Sequence, residues 1–253
     1  MRNNNYLFTL SKADSPPYGI DFTPSGGQPT GRFTNGRTIA DIVGEAVGGK
    51  SFAPPYLSPN AAANAFETGI NYASGASGIL DGTGTLFRLH GLGARKLVVV
   101  GIGPLGCIPF IRATNLIPTG ECSVKVNNLV NGYNQKLKQE LHQMNKDMGP
   151  NAIFVYANSF DIFTQIILNY SNYGFENSDG PCCGGYFPPF FCYKGKEANT
   201  NSALCGDRTK YVFWDAYHPT EAANLIVADK LLHGDKSYCS PMNIHQLYNY
   251  EIR

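Results

Sequence analysis

Apolar and polar positions alternate along this chain with two distinct rhythms. Leu97-Val98-Val99-Val100 and Ala152-Ile153-Phe154-Val155-Tyr156 are unbroken apolar runs, the pattern of strands covered on both faces. Ile39, Ile42, Val43 and Ala46 instead mark one face of a short helix, stopped by Gly48-Gly49 and Pro54-Pro55. Val126, Leu129, Val130, Tyr133, Leu137, Leu141 and Met144 hold helical spacing until Gly149-Pro150 ends it. Phe160, Phe163, Ile166, Ile167 and Tyr170 predict a further helix, and Ala222, Leu225, Ile226, Asp229 and Leu232 one that closes the chain. Ile70-Asn71-Tyr72-Ala73 reads as a short strand, and Leu86, Leu89 and Leu92 as a brief helix face. Residues 3–37 and 174–210, rich in Gly and Pro, read as loop. Strand–helix–strand–helix order predicts a parallel sheet with helices on both faces.

Composition narrows the class. The chain has 253 residues, 43% of them hydrophobic, which suffices for a sizeable core in one α/β domain. A net charge of +1 creates no field for nucleic acid or an anionic membrane, and no apolar run reaches the roughly 18 residues of a membrane span. Met1-Arg2-Asn3-Asn4-Asn5 has no apolar core of a signal peptide. The seven cysteines nevertheless sit in Gly/Pro-rich segments without C-x-x-C zinc spacing, which points to disulfides and a secretory compartment. No metal and no cofactor is expected. Cys107 and Cys122 are close enough in sequence to pair, a bridge worth about 3 kcal/mol in the chain-entropy picture. Cys182, Cys183, Cys192 and Cys205 leave their pairing open and Cys239 over.

Two motifs fail in context. Gly44-Glu45-Ala46-Val47-Gly48-Gly49-Lys50-Ser51 matches the phosphate-loop pattern letter for letter, yet a helical pattern precedes it and Pro54-Pro55 forbids the helix that must follow. A Gly-rich helix end is the better reading. Gly101-Ile102-Gly103-Pro104-Leu105-Gly106 follows a genuine strand, as a dinucleotide fingerprint does, but Pro109 falls in the first turns of the required helix and Cys107-Ile108-Pro109 reads on as loop. These glycines turn the chain at the carboxyl end of a strand, where sites form in such sheets.

The third motif carries chemistry. In Trp214-Asp215-Ala216-Tyr217-His218-Pro219 the acid lies three residues before the histidine, with Pro219 opening an expected helix. That spacing lets Asp215 take the Nδ1–H of His218 and leave Nε2 as a general base. His90, His142, His233 and His245 lack a matched acid.

Several segments together resemble the plant GDSL esterase/lipase family of the SGNH hydrolase superfamily. They are Asn3-Asn4-Asn5-Tyr6-Leu7, Pro16-Pro17-Tyr18-Gly19-Ile20-Asp21-Phe22, Pro29 through Arg37, Asn71 through Gly78, Gly93 through Pro109, and Phe213 through Glu221. The resemblance implies a single domain over residues 1–253 with a flavodoxin-like three-layer α/β/α sandwich and a parallel sheet, incomplete here. It implies Asp215 and His218 as the catalytic acid–base pair, and Gly75 as an oxyanion-hole donor, with Ala76 and Gly78 as alternatives. It further implies a small-molecule or lipid ester as substrate and a secreted protein.

Two family blocks have no match. The Gly-Asp-Ser-Leu block with its nucleophilic serine precedes the Asn-Asn-Asn-Tyr-Leu segment in the family, and this sequence starts at Met1-Arg2. The Gly-x-Asn-Asp block, a second oxyanion donor, is missing between the glycine segment and Gly93, where Asp81-Gly82-Thr83-Gly84 runs almost straight into Leu86. No nucleophile is therefore expected; Ser74 and Ser77 lack a G-x-S-x-G elbow. The expectation is an ester hydrolase by descent that is shortened beyond catalysis, with a marginal sheet and an apolar gap beside residues 97–100. A non-catalytic binding module and a polysaccharide deacetylase are the alternatives.

Overall fold

The computed structural model describes residues 12–49, 51–55, 57–58, 69–71, 94–114, 121–185, 192 and 204–252. Within them a three-stranded sheet forms the centre. Strand β1 (Lys96–Val100) runs parallel to β2 (Ile153–Ala157), and β2 pairs antiparallel with the short β5 (Cys239–Ser240). The sheet is thus mixed and only partly parallel, in keeping with an incomplete α/β sandwich.

Alternation along β2 builds the layers. Phe154 and Tyr156 face one way, into a cluster with Leu97 and Leu141, the latter on the long helix α3 (Val124–Met148). Val155 and Ala157 face the other way, among Ile162 and Ile166 of α4 (Ser159–Leu168), Val227 and Leu231 of α5 (Glu221–His233), and Ile244 and Leu247 of α6 (Ile244–Asn249). The period-two pattern read from the apolar run gives one strand two buried faces. Two asparagines of α3 fasten the sheet. The Asn134 amide bonds both N and O of Ile102 (2.8 and 2.7 Å), and the Asn145 amide bonds both N and O of Phe154 (2.8 and 2.8 Å).

Helices start where side chains cap them. Thr38 and Asp41 form a capping box at α1 (Ile39–Ala46), and Ser123, Asn158, Thr220 and Asn243 each accept an N–H in the first turn of α3, α4, α5 and α6. Gly48, at φ +88°, follows the end of α1, so the phosphate-loop look-alike is a helix terminus.

Several expectations need correction. Residues 107–109 do not continue as loop: a short helix α2 spans Pro109–Thr114. Proline at a first helical position loses no needed N–H, so Pro109 starts this helix rather than breaking one. The glycines of the dinucleotide look-alike answer to packing instead. A Cβ on Gly106 would lie 2.4 Å from the Ser123 carbonyl oxygen. The 174–210 segment is not all loop, because β3 (Asn177–Pro181) runs parallel to β4 (Tyr211–Phe213). The sequence Asn-Ser-Asp-Gly-Pro has almost no strand preference, and long-range pairing imposes the conformation. Pro219 does not open a helix; it bridges to Phe213, and α5 begins at Glu221. Nor does α5 close the chain, since β5 and α6 follow. The 97–100 strand is not covered on both faces: Val100 is 53% exposed, and β1 has no partner on its other edge among the described residues. Of the 70–73 strand Ile70 and Asn71 are described, and only Asn71 of these two pairs, in a bridge to Pro55; Tyr72, Ala73 and the Leu86–Leu92 helix lie outside the described residues.

Three disulfides form: Cys107–Cys122 as expected, Cys182–Cys205 and Cys183–Cys192. Cys239 is free and buried.

The N-terminal segment, loop-like in sequence, is ordered by polar contacts. Arg32, with no side-chain exposure, donates Nε and Nη2 to Asp41 at 2.7 and 2.8 Å and lies over the Phe22 ring. Burial alone would push the Asp41 carboxyl up, but the Arg32 guanidinium and the Thr38 donors hold it below the usual range. Asn35 donates to Asp21 and accepts from the Glu221 N–H, while Arg208 clamps Asp21 and Arg37 pairs with Glu221. Gly36 sits so close to Glu221 that a Cβ would collide with its carboxylate. Asp41→Ala would strand the Arg32 charge in the interior. The expected loss is about 3–5 kcal/mol, read as a lowered urea midpoint.

Candidate active site

Strand β4 delivers the chain into a tight loop, residues 214–219. The Trp214 N–H donates to the His218 carbonyl at 2.7 Å, and the Thr220 N–H to the Val212 carbonyl at 3.0 Å. Asp215 turns inward and is 1% exposed. Its Oδ1 accepts the backbone N–H groups of Tyr217 and His218 at 2.8 and 2.7 Å, the local bonding an aspartate makes in a turn. Nδ1 of His218 lies 2.9 Å from both carboxylate oxygens. A carboxylate can only accept, so a proton sits on Nδ1, and in the neutral imidazole Nε2 keeps its lone pair. The His218 side chain is 40% exposed.

The two charges tune each other. Burial would raise the Asp215 carboxyl, yet the His218 imidazolium and three N–H donors outweigh it and hold it below the ordinary range. Burial would lower His218, yet the adjoining Asp215 carboxylate raises it above the ordinary imidazole value.

One contact was not foreseen from sequence. The hydroxyl of Tyr18 donates to Asp215 Oδ2 at 2.8 Å across 197 residues of chain. No local pattern announces such a contact; only the fold brings the segments together. Phe33 adds a ring 4.8 Å from the imidazole. Beside this pair lies a 110 Å³ cleft walled by Pro104, Leu105, Ile108, Phe163, Phe213 and the two chain neighbours of His218, Tyr217 and Pro219. Its wall places the carboxyl end of β1 next to the histidine loop, as expected for a site in such a sheet.

Asp215 and His218 therefore meet as the sequence spacing required. Gly75, Ala76, Gly78, Ser74 and Ser77 lie outside the described residues. Among the described residues no group of three or more His, Cys, Asp or Glu side chains could hold a metal ion, and no helix is long and apolar enough to cross a membrane.

Comparison with known proteins matches residues 85–231 to the GDSL-like lipase/acylhydrolase family. The chain belongs to the GDSL esterase/lipase family. The relative GDSL esterase/lipase At5g41890 of Arabidopsis thaliana is 50% identical over 97% of this chain and 89% of its own length. The Arabidopsis proteins GDSL esterase/lipase At3g50400 and At4g16230 are both 38% identical, over 97% and 99% of this chain and 87% and 88% of their own lengths. The matched 329 residues of the first relative exceed the 253 of this chain.

The site has a defined pH signature. A raised imidazole contributes stability that is complete below its unfolded value, about 6.5, and is lost as pH rises through the folded value. A depressed carboxyl contributes above its unfolded value, about 3.9, and loses it as pH falls through the folded value. Both contributions coexist between about pH 4 and 6.5. The stability gap between wild type and His218→Ala is expected to be widest in that window and to shrink on the alkaline side. Denaturant titrations across pH read it.

Proposed function

We propose that this chain carries the proton-transfer half of a GDSL-type carboxylic ester hydrolase acting on lipid or acyl esters. The observation that supports this most is the 2.9 Å contact between His218 Nδ1 and the buried Asp215 carboxylate. In an enzyme built on this pair, Nε2 of His218 takes the proton of a serine hydroxyl as its oxygen attacks the ester carbonyl. It then returns that proton to the departing alkoxide. Asp215 fixes the tautomer and stabilises the imidazolium between the two transfers. Backbone N–H groups of the Gly75 segment, Gly75 first, would bind the oxyanion; one such donor is worth roughly 10²–10³ in rate. Water then repeats the sequence on the acyl-enzyme. The apolar cleft beside Tyr217 and Pro219 suits the hydrocarbon portion of such an ester.

The 253-residue polypeptide contains no Gly-Asp-Ser-Leu sequence and no Gly-x-Asn-Asp sequence. A matched stretch longer than the chain supports a family member whose middle has been skipped. Removing the nucleophile from a catalytic unit of this kind costs on the order of 10⁶ in kcat. Without a serine block, the pair would be a base with no matched hydroxyl to activate. The disulfides support a secretory setting for the protein.

The decisive measurement is hydrolysis of p-nitrophenyl butyrate by the purified 253-residue chain. The expected rate equals that of buffer and of the His218→Ala protein. Turnover that disappears in His218→Ala would show that another hydroxyl serves, and would refute the reading.

A further inference from the structure

The carboxylate of Asp215 is held from two directions, and only one of them is its own loop. Oδ1 receives the loop N–H groups, whereas Oδ2 faces Tyr18, which arrives from the far N-terminal segment. Tyr18 is 1% exposed. It is fixed edge-on against Phe33 at 5.9 Å and Trp214 at 6.3 Å, in the cluster that contains Cys182, Cys183 and Cys192. Cys192 is tied to Cys183, whose N–H donates to the Trp214 carbonyl at 2.7 Å, one residue before Asp215. The disulfide thus lies in the cluster that packs Tyr18 and is hydrogen-bonded to the residue before the acid.

We infer that Tyr18 is a positioning residue for the Asp215–His218 pair, its hydroxyl setting the roll and the charge of the carboxylate that orients the imidazole. The inference rests on the proposed base role of His218. Two consequences follow from the chemistry. A donor on Oδ2 stops rotation of the carboxylate about its own axis, so both oxygens stay at the same 2.9 Å from Nδ1. The same donor draws charge away from the carboxylate, which weakens its pull on the imidazolium and limits how far His218 is raised. Burial, and next the negative charge of Asp215, raise the Tyr18 phenol far above its ordinary value, so the hydroxyl keeps its proton and remains a donor. The ionisable groups acting on the carboxylate are Tyr18, Tyr217 and His218, and Tyr217 contributes a backbone N–H rather than its phenol.

The test reads the imidazole of His218 by heteronuclear NMR on the 253-residue chain, assigned by comparison with His218→Ala. It needs no turnover. Tyr18→Phe keeps the ring and its packing and removes only the hydroxyl. The His218 titration is expected to move up by about half a unit to one unit, with some loss of the single Nδ1–H tautomer. A second variant carries 3-fluorotyrosine at position 18, whose more acidic phenol donates more strongly; the titration is expected to move down. It stands in for Tyr18→Phe if that protein does not fold. A titration that is unchanged, or that moves opposite to either expectation, overturns the inference and leaves Tyr18 a packing residue. Asp215→Asn is the control for the underlying reading: it should lower the His218 titration. Failure of that control sinks the acid–base pair itself rather than the role of Tyr18.

Discussion

A carboxylate without water is the constraint around which this molecule is arranged. Taking such a charge from solvent into a protein costs several kcal/mol even after relaxation. Asp215 meets that cost with two backbone N–H groups, one imidazole and one phenol. Two of these donors require the 214–219 loop to be closed tightly. The phenol requires residues near the N-terminus to lie against β4. Satisfying one charge thus fixes the relative placement of segments that are almost two hundred residues apart.

The polar contacts of the N-terminal segment make sense in that light. Having little apolar content, residues 29–37 cannot be held by burial alone. Arg32 inserts its guanidinium beneath α1, and Asn35 and Arg37 bind the first turn of α5. That helix follows directly from the histidine loop. The capping of α5 by Thr220 and the docking of Asn35 on Glu221 therefore stabilise the same short stretch that presents His218. Phe33 lies between those contacts, which puts an aromatic ring against the imidazole.

How much of this could be read from residues alone varied with the range of the interaction. The apolar runs at 97–100 and 152–156 and the long helical stripe of α3 were legible, because a continuous or 3.6-periodic pattern reports burial directly. So was the Asp215–His218 pair, because three residues separate acid from base and the contact is local. What escaped was set by distant partners. Nothing in Asn-Ser-Asp-Gly-Pro announces β3, which exists because β4 lies beside it. The two-residue β5 is too short to show a period. Pro109 read as a breaker because its role depends on whether it opens or interrupts a helix. Tyr18 stood among the family-like segments, yet its partner lies at the other end of the chain. The exposure of Val100 shows the limit of the apolar-run rule: such a run reports what a strand is suited to touch, not what touches it.

The odd cysteine has a consequence for how the three bridges endure. Cys239 is 1% exposed on the edge strand, and burial pushes its thiol up to about 12. Disulfide exchange needs a thiolate as attacking group, and a sulfur that stays protonated and shielded seldom becomes one. The unpaired sulfur is thus a silent spectator, and the pairings around the Tyr18 cluster are spared scrambling from within.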